Sequence, residues 1–99
     1  MQLIRIVRMT FQKDKVGDFL DIFQRSREQI RRFPGCLHLE LWRDYHLSTV
    51  YLTHSHWESE EALNTYRQSD LFTETWAQTK VLFADKPQVF SVRKLEEVK

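Results

Sequence analysis

Hydrophobic and polar positions alternate along the first ten residues. Leu3, Arg5, Val7, Met9 and Phe11 fall on one side of an extended chain, and Ile4, Ile6, Arg8 and Thr10 on the other. Apolar side chains on both sides predict a strand over Gln2–Phe11 that is covered on two faces. After the polar turn Gln12-Lys13-Asp14-Lys15, the period changes. Val16, Phe19, Leu20, Phe23, Ile30 and Phe33 recur at helical spacing with charges between them, predicting a helix over Lys15–Phe33. Pro34-Gly35 stops it.

Alternation returns at Cys36–Trp42, and again at Thr49–His56 after the hairpin-sized connection Arg43–Ser48. Ser59 then reads as a helix N-cap, with Glu60 and Glu61 in the first turn and Ala62, Leu63 and Tyr66 along one face. Ser69-Asp70 interrupts that helix and caps a second piece carrying Phe72 and Trp76. A last alternating strand runs over Gln88–Leu95. The order is β-α-β-β-α-β, the ferredoxin-like arrangement of an α+β fold. It predicts one domain over residues 1–95 and a solvated tail over 96–99. Helices cover one sheet face, and the other is too apolar to be left bare. The expectation is a homodimer packed through that face.

Composition narrows the function classes. The chain has 99 residues, 41% hydrophobic and 13% aromatic, more apolar bulk than a small domain ordinarily hides, which again points to an interface or an aromatic pocket. A formal net charge of +1 supplies no field for nucleic acid or an anionic membrane. The strand YLTHSHW lacks the basic, glycine-containing pattern of RNA-recognition domains that share this element order. One cysteine, Cys36, excludes an intramolecular disulfide and suits a reducing compartment, and no stretch reads as a signal peptide or membrane helix. The expectation is a cytoplasmic protein with no membrane or nucleic-acid partner.

FPGCLHLELWRD, HWESEEALNTYRQSDLF and ADKPQVFSV together resemble the antibiotic biosynthesis monooxygenase domain over nearly the whole chain. The resemblance implies a dimeric α/β barrel, with a ligand cavity between sheet and helices in each subunit. Its relatives include cofactor-independent oxygenases of quinols and anthrone-like polyketides, and haem-degrading oxygenases. The haem ligand of the latter aligns with Trp76, which offers iron no lone pair. Their pocket asparagine aligns with Val7 and their pocket tryptophan with Tyr66. In some polyketide oxygenases an asparagine stands where this chain has Thr53, and many members carry histidine where Tyr66 stands.

The resulting expectation is a cofactor-independent monooxygenase acting on a small aromatic, quinol-like or polyketide-like substrate in a pocket between sheet and helices. The catalytic candidates are His54, with Trp57 and Tyr66 as hydrogen-bond donors, and the substrate-binding candidates are His38, Thr53, Phe72 and Trp76; the base is His54 or His38, and Trp76 is a further donor. The alternative is a non-catalytic ligand-binding or scaffolding dimer. One further grouping depends on hairpin register. If the connection centres on His46, His38 opposes His54 and Cys36 opposes His56, gathering zinc-type ligands on one face. Lateral clustering on a sheet suits a closed tetrahedral site poorly, so no metal and no cofactor are expected.

Overall fold

The computed structural model describes residues 2–99. Strand β1 spans Leu3–Thr10 and is followed, after one 3-10 turn, by helix α1 over Val16–Arg31. Strands β2 (Cys36–Arg43) and β3 (Val50–Trp57) form a hairpin. Helices α2 (Glu60–Arg67) and α3 (Asp70–Lys80) precede the last strand, β4 (Gln88–Val92). The sheet is antiparallel throughout, in the order β2-β3-β1-β4, which is the ferredoxin-like α+β topology. Among the described residues no helix is long and apolar enough to cross a membrane.

The local signals act as their chemistry dictates. Ser59 Oγ accepts the Ala62 backbone N–H at 3.0 Å, and Ser69 Oγ accepts that of Phe72 at 3.1 Å. The second cap splits the helical segment in two. Gly35 adopts φ +90° at the end of the α1–β2 turn, and its carbonyl accepts the Glu58 N–H at 2.9 Å. That bond ties the start of β2 to the entry of α2.

Most element boundaries differ from the sequence reading by one residue, and two by more. Helix α1 ends at Arg31 rather than Phe33 and β4 stops at Val92 rather than Leu95, while β1 ends at Thr10 with Phe11 making an isolated bridge to Phe83. The larger correction concerns hairpin register. His38 opposes His56 and Glu40 opposes His54, whereas Cys36 opposes Trp57. An irregularity between Cys36 and His38 leaves Leu37 as an extra residue, reversing the face of everything before it. Cys36 is therefore buried among the helices, and the expected cysteine–histidine grouping does not form.

Because directly opposed residues share a face, the pairing sorts every strand position. Toward the helices lie the rows Leu3–Trp57–Cys36, Ser91–Arg5–Ser55–Leu39, Val89–Val7–Thr53–Leu41 and Met9–Tyr51–Arg43. Toward the open side lie Val92–Ile4–His56–His38, Phe90–Ile6–His54–Glu40 and Gln88–Arg8–Leu52–Trp42. The core has two centres under the helices. Phe11 stacks on Phe19 at 4.2 Å between ring centroids, within a group that includes Met9, Ile22, Tyr51 and Leu82. Trp57 stacks on Tyr66 at 4.9 Å, with Ile30, Cys36 and Leu63 around them.

Candidate active site

A cavity of about 270 Å³ opens between these two centres, bounded by the sheet below and the helices above. That is the small end of the ligand-pocket range, suited to a mono- or bicyclic molecule. Thr53, Trp57, Tyr66, Phe72 and Trp76 all line it, so five of the seven site residues expected from sequence converge there. The Ser69 cap makes this possible. Tyr66 and Trp76 are ten residues apart and would diverge on one continuous helix, but on α2 and α3 they face the same space.

The remaining two, His38 and His54, lie elsewhere. Side chains alternate along a strand, so His54 and His56 project from β3 on the side opposite Thr53, Ser55 and Trp57. His38 joins them from β2. A histidine base working with Trp57 and Tyr66 on one substrate in this cavity is thus ruled out by the parity of the strand. On the open face the histidines form their own network. Glu40 meets His38 Nε2 at 2.8 Å, His54 Nδ1 at 3.4 Å and the Trp42 indole N–H at 2.8 Å. His54 and His56 share one hydrogen bond, Nε2 to Nε2 at 3.1 Å, and Trp42 stacks on the His54 ring. These bonds hold the Glu40 carboxyl down at about 2. Ligand atoms of His38, Glu40 and His54 lie within 4.8 Å of one another, so Glu40, rather than Cys36, completes the cluster.

Within the cavity the polar groups divide into occupied and free. The Trp57 indole N–H donates to Ser55 Oγ at 3.0 Å, and the residue is 1% exposed. Trp57 is therefore a wall and a junction anchor whose indole N–H is engaged by Ser55. The Tyr66 hydroxyl, the Trp76 indole N–H and the Thr53 hydroxyl have no protein partner and are reached by water, since no buried side-chain polar atom among the described residues lacks a partner. Burial, with a smaller contribution from Cys36 nearby, raises the Tyr66 phenol far above its ordinary range, so it stays a neutral donor.

Sequence reasoning missed Arg5, which lines the cavity from the middle of the helix-facing row, and Arg67, which reaches it from the end of α2. The signal was present. Arg5 is the one charge among Leu3, Val7, Met9 and Phe11 on that side of β1, where a packing face has no use for it.

Residues 2–78 match the antibiotic biosynthesis monooxygenase family. The chain belongs to that family. Solved structures agree on the fold. The Rv0793 protein of Mycobacterium tuberculosis superposes with a TM-score of 0.90 at 18% identity over 100% of both chains. A conserved protein of Methanosarcina mazei Go1 gives 0.90 at 16% identity, covering 95% of this chain and 93% of its own. A Bordetella bronchiseptica protein, named as a candidate antibiotic biosynthesis monooxygenase, gives 0.85 at 25% identity, covering 96% and 98%. No curated protein sequence matches significantly. Family membership makes monooxygenase-like chemistry the class of function to weigh, and the cavity is where this chain's own residues bear on it.

Proposed function

We propose that the protein is a cofactor-independent monooxygenase that oxidises a small, electron-rich aromatic or quinol-like substrate in the cavity under α2 and α3. One observation carries this reading. An aromatic-walled space open to water is lined by Tyr66, Trp76 and Thr53, whose donor groups bond to no other protein group and can meet a ligand there. In this chemistry the substrate ring supplies the electrons. A ring C–H and a phenolic O–H become two carbonyls, one oxygen atom of O₂ enters the ring carbon, and the other leaves as water. The walls exclude bulk water, and the Tyr66 hydroxyl donates to the oxygen where negative charge collects. None of the described lining residues is a histidine, aspartate or glutamate, so the proton departs through the mouth to solvent.

The functional unit in this reading is a homodimer in a reducing cytoplasm. Ile4, Ile6 and Leu52, with Trp42, Phe90 and Val92 at 41–47% exposure, make the open sheet face a continuous apolar surface around the histidine network. Pairing two such faces removes it from water.

Oxygen uptake with a panel of mono- and bicyclic quinols tests the activity. Stoichiometric uptake above the uncatalysed rate is expected, with Tyr66→Phe slowing kcat about 10²-fold, the typical loss of one oxyanion donor. The second reading, a ligand-binding dimer without turnover, draws on the commitment of the Trp57 N–H to Ser55. It requires binding in the same cavity with no uptake for any quinol.

A further inference from the structure

The helix-facing row Ser91–Arg5–Ser55–Leu39 brings a guanidinium into the wall of an otherwise apolar cavity. Arg5 is on β1, with a strand on either side, and is only partly exposed. Its Nη1 donates to Ser91 Oγ at 2.8 Å, and no carboxylate pairs with it among the described residues. The second cation, Arg67, is exposed and marks the cavity mouth. None of the lining residues is acidic. Two arginines thus line one space, and the side-chain partner of the Arg5 guanidinium is the neutral Ser91 hydroxyl. Burial, and secondarily the charge of Arg67, both push the Arg5 pKa down, the direction expected of a partly buried cation beside another cation.

A partly buried charge is tolerated when an opposite charge meets it. A guanidinium has five N–H donors in a planar fork, and Ser91 takes one. The unused edge matches an oxyanion, and the aromatic walls beyond it match a ring. We propose that Arg5, with Arg67 at the rim, forms an anion subsite, and that the ligand is a flat aromatic bearing one oxyanion, a carboxylate or a phenolate. The charged group sits between the two guanidiniums while the ring enters among Trp57, Tyr66, Phe72 and Trp76. The bland role for Arg5, covering apolar surface with its stem while its head stays in water, explains neither the paired cations nor the lack of any acidic partner. For a phenolate the subsite also replaces the base that the cavity lacks, since the cations favour the ionised ligand and its proton passes to solvent. The other titratable groups facing this space are the neutral Tyr66 phenol and, behind it, the buried Cys36 thiol.

The inference rests on the cavity being the ligand site, and not on oxygenase chemistry, so its test uses binding alone. Tryptophan fluorescence is titrated with 2-naphthoate against 2-naphthamide, and with 4-nitrophenolate against 4-nitroanisole, at mildly alkaline pH. At least one anion is expected to bind about tenfold or more tightly than its neutral isostere, a gap of ~1.4 kcal/mol. The pair showing the larger gap identifies carboxylate or phenolate. Arg5→Gln should shrink the gap to about twofold or less, and Arg67→Gln, at an exposed position that folding does not need, should at least halve it. The proposal is overturned if neither anion binds better than its neutral isostere, or if the preference survives in Arg67→Gln and, where it folds, in Arg5→Gln. Absence of oxygen uptake with quinols would leave these outcomes untouched.

Discussion

Replacing Gly35 by alanine tests how the α1–β2 turn sets the roof of the cavity. Two costs are legible. At φ +90° a side chain pays about 1–3 kcal/mol of backbone strain. An added Cβ would also lie 2.5 Å from the Ala62 Cβ and 3.7 Å from the Ala62 Cα on α2, so the helix must retreat, at about 1–3 kcal/mol for overpacking. Gly35→Ala should therefore cost about 2–6 kcal/mol, a large part of the ~5–15 kcal/mol typical of a domain. Ala62→Gly alone costs about 1 kcal/mol of helix propensity. In the double variant the clash disappears and the backbone strain remains. The two substitutions should couple by about 1–3 kcal/mol, the double variant being more stable than the sum predicts. Urea unfolding followed by circular dichroism measures all four corners of the cycle. Because α2 carries Leu63 and Tyr66 into the cavity wall, Gly35→Ala should also weaken aromatic binding, and Ala62→Gly should restore it. Additive stabilities would show that the close approach of turn and helix is not what fixes α2.

Two other consequences can be measured on the same footing. Trp57→Phe removes the donor to buried Ser55 and should cost about 1–3 kcal/mol, while Ser55→Ala should cost less in that background than in the parent, because the hydroxyl then retains only its long bond to the Arg5 carbonyl; equal costs in both backgrounds would refute the bond's importance. Acid should weaken the fold in two stages. Burial, then His54 and His38, depress the His56 pKa below 6.5, so the unfolded chain takes up that proton first and stability falls as pH drops below about 6.5. The Glu40 carboxyl, held at about 2 against an ordinary 4.5, adds a second loss between those values. Urea midpoints across this range should show both steps, with His56→Asn removing the first; a flat profile down to about 5 contradicts it.

The element order was legible because each segment keeps one period. β1 and β3 alternate without interruption, α1 repeats at helical spacing until Pro34, and Ser59 and Ser69 announce their caps in the side chain that performs them. Register was not legible, for a local reason. Leu37, Leu39 and Leu41 look like an unbroken apolar face, but Leu37 is an extra residue, and Leu39 and Leu41 face the helices together with Cys36. The displaced residue results from Gly35 and Trp57 drawing Cys36 inward, a tertiary demand that alternation does not record. The five cavity residues from Thr53 to Trp76 came from family resemblance and helix spacing, and the histidines were grouped with them because residue type suggested a base. Parity along β3 was enough to separate His54 from Trp57, had chemistry been weighed after geometry. Arg5 stands in the pattern as a charge on an apolar face, a local feature that the net charge of +1 does not reveal.

The claim that the helix-side cavity, and not the histidine-bearing sheet face, receives the ligand is tested most directly by a crystal structure of the protein with a bound hydroxynaphthalene. The account predicts the ring between Tyr66, Phe72 and Trp76, with its oxygen toward Arg5. A ring stacked instead on Trp42 beside His54 and Glu40, with the cavity empty, would contradict it.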